Sequence, residues 1–78
     1  MDNYNKYKQA FAEAFEAEPE AVESFVFRKV EAWDSIGHMS LIAELEGTFD
    51  VEFEPYEIMD ITSFQAGIEV LKRKGIEF

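Results

Sequence analysis

A chain of 78 residues with 47% hydrophobic content, eight Phe and a net charge of −10 has enough apolar material for one small core. It contains no cysteine, which excludes disulfides, thiolate metal sites and a cysteine nucleophile, and no apolar run approaches the roughly 20 residues of a membrane span. The acidic balance argues against nucleic acid, whose phosphates require Lys and Arg, and favours basic protein partners.

In chain order, Tyr4, Tyr7, Phe11, Ala14 and Phe15 fall at helical spacing, with Lys6, Lys8 and Glu13 off the stripe. They predict a first helix of about four turns, ending near Ala17 before Pro19. Residues 18 to 33 have no clean period, yet Phe25, Val26, Phe27, Val30 and Trp33 are too apolar for a solvated loop. A connection this long either has a function or hides a short helical turn. A second helix is expected from Ser35 to Phe49, with Asp34 or Ser35 as its N-cap. Asp50 to Pro55 breaks that pattern, and its alternation could mimic a strand with nothing to pair with. A short third helix follows from Tyr56 to about Asp60. Thr62-Ser63-Phe64-Gln65 fits a capping box with Thr62 at the N-cap, opening a last helix buried through Phe64, Ile68 and Leu71. Lys72, Arg73 and Lys74 complement its dipole, and Gly75 suits the left-handed position beyond it. The expected fold class is all-α, a small up-down bundle of three main helices and one short one, in a single domain over residues 1–78. The N-terminus MDNYNKYKQ does not resemble a signal peptide, so a soluble cytoplasmic protein, a monomer, is expected.

On the second helix, Leu41, Ile42, Leu45 and Phe49 form the core face. Ile36, Met39 and Ala43 lie on a flank beyond it. Either this flank packs under the 18–33 connection, or it is a docking strip with Ser40, Glu44, Glu46 and Gly47 beside it. Residues 34 to 60 carry eight acids (Asp34, Glu44, Glu46, Asp50, Glu52, Glu54, Glu57, Asp60) and no Lys or Arg. A field of one sign over this length steers encounters with basic partners, and Glu57 of the third helix is counted in that surface.

Ser35 is the residue that invites chemistry. A nucleophile needs a base and an oxyanion hole, and the one candidate base, His38, has no carboxylate evidently placed to orient it. His38 lacks companions for metal binding and reads as a surface residue, and DVEFEPYE lacks the glycine and spacing of an EF-hand loop. Ser35 is then either a plain helix cap or a modified hydroxyl. A phosphate ester is favoured by the dipole and free N–H groups of a helix start, and Asp34 could help bind a divalent cation during attachment.

Asp34-Ser35-Ile36 resembles the Asp-Ser-Leu attachment motif of acyl carrier proteins. The resemblance runs on through LIAELEGTFDVEF, then Pro55, then Ile61-Thr62-Ser63-Phe64, and covers nearly the whole chain. It implies a carrier rather than an enzyme. Ser35 would bear 4′-phosphopantetheine, received from coenzyme A through a phosphopantetheinyl transferase, with Asp34 assisting. The distal thiol would hold acyl groups as thioesters. Acyl-loading and acyl-transfer enzymes with basic docking surfaces would engage the second helix in turn. Two departures stand out: Ala32-Trp33 replaces the small Gly-x pair common before the Asp, and Gly37, Ser40 and Gly47 occupy positions where many relatives have acidic or bulkier residues. Trp-Asp-Ser-Ile-Gly-His-Met looks more like specialised carriers of secondary-metabolite or surface-polysaccharide pathways. A peptidyl or aminoacyl carrier, and an unmodified acidic interaction module, are the alternatives.

Overall fold

Tyr7, Phe11 and Phe15 recur every four residues, the spacing that stacks side chains along one face of a helix. In the computed structural model, which describes residues 2–78, they line the buried side of α1 (Asn3–Phe15). The Asp2 carboxylate caps this helix by accepting from the Asn5 N–H at 2.8 Å. The helix stops two residues before the expected Ala17. Glu16 adopts a left-handed conformation (φ 52°), and the Ala17 N–H returns to the Ala12 carbonyl at 3.0 Å.

The aromatic side chains of α1 form the centre of the core. Phe11 and Phe15 lie 5.4 and 5.3 Å, centroid to centroid, from Trp33, while Tyr7 and Phe11 lie 4.8 and 5.1 Å from Phe64. Such pairs are worth about 0.5–1.5 kcal/mol each beyond the area they bury. Tyr7 is fully buried and donates its hydroxyl hydrogen to the Phe64 carbonyl at 2.7 Å, which removes the cost of an unpaired phenol. Burial pushes its ionisation far up, so it remains a donor.

The aperiodic stretch hides a 3₁₀ turn, Pro19–Ser24, with Pro19 at its first turn and Val22 fully buried. Beyond it, Val26 and Ser63 form an isolated antiparallel bridge. The Phe27 N–H donates to Thr62 O at 2.9 Å and the Phe64 N–H to Phe25 O at 3.0 Å. Extended backbone alternates its side chains, so Phe25 and Phe27 turn toward the core while Val26 stays 40% exposed. A tight turn closed by the Arg28 N–H on Trp33 O (2.9 Å) then delivers Trp33, fully buried, to the core.

α2 spans Ser35–Phe49, with the expected bounds, and buries Leu41, Ile42 and Leu45. Phe49 is partly buried. Asp50 ends the helix in a left-handed conformation (φ 54°). The following segment stays unpaired, and no strand forms among the described residues. Its Phe53 is buried, with its N–H held by the Glu46 carboxylate at 3.0 Å. α3 (Pro55–Asp60) starts at Pro55, whose fixed φ and missing N–H suit a first helical position.

α4 spans Phe64–Arg73 and begins one residue later than the capping box predicts. The cap is Ser63, accepting from the Ala66 N–H at 3.0 Å, because the Val26 bridge holds Thr62 and Ser63 extended. The end matches expectation. Gly75 has φ 95°, its N–H returns to Lys72 O at 3.0 Å, and the Ile76 N–H returns to Leu71 O at 3.1 Å. The fold is all-α, with three main helices, one short one and the 3₁₀ turn. No helix among the described residues is long and apolar enough to cross a membrane.

Candidate functional site

The start of α2 divides the work between two adjacent side chains. Asp34 is the N-cap: its backbone is extended (φ −101°, ψ −166°) and its Oδ1 accepts from the Gly37 N–H at 2.8 Å. Ser35 is the first helical residue. It is exposed, and its Oγ plays no part in the cap. The plain-cap reading of this serine therefore does not hold. What touches Ser35 Oγ is the Arg28 guanidinium, whose Nη2 donates at 3.3 Å from the preceding turn.

Gly37 is required by packing. A Cβ there would run into the carbonyl oxygen of Ala32, a backbone atom that cannot step aside. This close approach lets the 28–33 turn lie against the first turn of α2, and nothing in the local sequence announces it. Gly47 differs: no atom lies near the position its Cβ would occupy, and the residue is exposed.

His38 is not a surface residue, contrary to the sequence expectation. It is half-buried because the buried Trp33 indole must place its N–H on an acceptor. Trp33 Nε1 donates to His38 Nδ1 at 2.9 Å, and His38 Nε2 lies 2.7 Å from the Ile58 carbonyl of α3. The two bonds fix the tautomer: Nδ1 accepts and Nε2 donates. With both nitrogens engaged, His38 is not placed to take a proton from Ser35. Among the described residues no cluster of His, Asp or Glu is arranged to hold a metal ion.

The flank of α2 faces outward. Ile36 is 80% exposed and Met39 54%, so neither packs under the 18–33 connection. Ser40, Ala43, Glu44 and Gly47 are exposed on the same helix, whereas Glu46 is half-buried through its bond to Phe53. α3, tied to α2 by His38, adds Tyr56 and Met59, 62% and 77% exposed, which the sequence reading missed. Two large apolar side chains only three residues apart on a six-residue helix were the available signal. Between α2 and α3, one turn on from Ser35, lies a partly open cavity of about 230 Å³ lined by Phe27, His38, Ile58, Met59, Ile61 and Thr62.

Glu57 needs correcting as a docking residue. It is buried, accepts from the Lys74 ammonium at 2.9 Å and from its own capping partner, the Glu54 N–H, at 2.8 Å. These contacts bolt α3 to the end of α4 and remove the carboxylate from the surface. The Glu54 N–H, then the Lys74 hydrogen bond, hold its carboxyl below the usual range, against the opposing effect of burial. A carboxyl whose pKa falls on folding contributes stability above its unfolded pKa, and that contribution is lost as pH drops through the folded value. Glu57→Gln should therefore flatten the acid side of the stability profile. Urea titrations from neutral pH downward should show the wild type losing stability faster than the variant below about pH 5. Parallel profiles would mean that the pair contributes nothing of this kind.

No family model matches this chain, and a search among curated proteins finds no relative.

Proposed function

We propose that this protein is a carrier of covalently attached acyl groups, with 4′-phosphopantetheine on Ser35. The observation that carries the reading is a hydroxyl without structural duty: Asp34 caps α2, so Ser35 Oγ stands exposed beside a cation and next to the outward-facing Ile36. The residues present fit such a group. Nothing covers the oxygen, and Arg28 offers a charge complementary to a phosphodiester. In the transfer from coenzyme A, Ser35 Oγ forms the new bond to phosphorus, its proton passes to a base of the transferase, and 3′,5′-ADP leaves. When bound, the group supplies a thiol for thioester chemistry, which this cysteine-free chain lacks.

The exposed apolar side chains of α2, with the Asp34 and Glu44 carboxylates on the same helix, favour partner enzymes whose docking surfaces are basic around an apolar centre. The apolar cavity beside His38 offers a recess for a short acyl chain. The acyl carrier protein fold, with its up-down arrangement, is part of the same proposal, as are a cytoplasmic monomer and a specialised biosynthetic pathway.

The test is incubation with coenzyme A, Mg²⁺ and promiscuous phosphopantetheinyl transferases, followed by intact-mass measurement. A single addition of one phosphopantetheine is expected for the wild type and none for Ser35→Ala. Failure with several transferases, or an addition that survives in Ser35→Ala, would reject this assignment in favour of an unmodified acidic interaction module.

A further inference from the structure

We propose that Arg28 is an anion clamp, which grips a phosphoryl group carried on Ser35 and holds the first segment of the attached arm against the 28–33 turn. This deepens the carrier reading and rests on it for the identity of the group. Among the described residues, no carboxylate forms an ion pair with Arg28, although acids outnumber bases 17 to 7 in the chain. Its one side-chain hydrogen bond is to Ser35 Oγ, a neutral hydroxyl that engages a single nitrogen at 3.3 Å. A guanidinium has five N–H donors in a fixed fork, so most of its capacity is unused.

The backbone adds a second observation. Arg28 sits at φ 67°, a left-handed conformation that Gly or Asn adopts at lower cost, and its N–H closes the turn on Trp33 O. The turn itself would be served better by glycine, so the arginine side chain needs a purpose of its own. The Phe27 ring, 5.3 Å from the guanidinium carbon, supports it from one side. A phosphoryl group on Ser35 places charged, non-bridging oxygens two bonds beyond Oγ, within reach of the fork. One weak bond to a neutral oxygen then becomes a charge-assisted pair.

The first probe is phosphoserine placed at position 35 by genetic encoding and titrated by ³¹P NMR. Arg28→Gln is expected to raise the second phosphate pKa, ordinarily about 6, by roughly half a unit, with Arg28→Lys recovering part of the shift. The helix start is common to all three proteins, so the difference isolates the side chain. The second probe is the mass-verified holo-protein, in which the Arg28 Nε–H resonance should move on attachment and relax toward its free position in high salt. Identical titrations in the wild type and Arg28→Gln would overturn the clamp even where the mass addition occurs. A lowered pKa in the phosphoserine protein without any transferase product would sustain the clamp and reject the carrier reading.

Discussion

Trp33→Ala is expected to lower the free energy of unfolding by about 3–5 kcal/mol, a large fraction of the total stability of a domain of this size. Trp33 is fully buried, with its ring set against Phe11, Phe15 and Phe27. It also holds the only indole N–H, which satisfies His38 and through it the Ile58 carbonyl. Two contributions can be separated. Trp33→Phe keeps an aromatic ring in the cavity but leaves His38 Nδ1 without a donor, at a cost of about 1–3 kcal/mol. Urea titration followed by far-ultraviolet circular dichroism should rank the three proteins as wild type, Phe, Ala. Equal stability of the two variants would mean that the hydrogen bond, not the ring volume, dominates the position.

Gly37→Ala is expected to cost about 3 kcal/mol, at the upper end for overpacking, because the added methyl meets the Ala32 backbone rather than a side chain that can swing away. Gly47→Ala, further along the same helix, should act in the opposite sense and stabilise by about 0.5–1 kcal/mol, since that site is open and helical. Thermal unfolding of the pair is the check. Tolerance of Gly37→Ala would show that the 28–33 turn can move away from α2. If Gly47 instead serves close approach of a partner, its alanine variant will be more stable yet bind less tightly.

The contrast between these glycines marks the limit of what the sequence disclosed. Both were legible as departures from the acidic or bulkier residues common in the family the chain resembles, but their meanings differ through neighbours that the local sequence does not name. The bounds of α2 were legible because Asp34, the apolar face of Leu41, Ile42 and Leu45, and the Asp50 stop are all local signals. The start of α4 was not. Thr62 and Ser63 are equally good caps in isolation, and the choice is made by a bridge to Val26 far back in the chain. His38 and Glu57 looked solvent-facing for the same reason. Their partners Ile58 and Lys74 come from other elements, although the unpaired indole N–H of a core Trp33 was a usable hint that an acceptor had to lie close by. At the candidate site, Asp34 and Ser35 could be picked out as a pair. Which of them caps the helix and which stands idle is decided by the backbone at residue 34, extended there and helical from the next residue on.

That division has a thermodynamic corollary. Since the cap is carried by the neighbouring carboxylate, a change at the serine oxygen leaves the hydrogen bond that starts α2 as it was. If the carrier reading proposed above holds, loading the serine leaves the contribution of this cap to folding untouched.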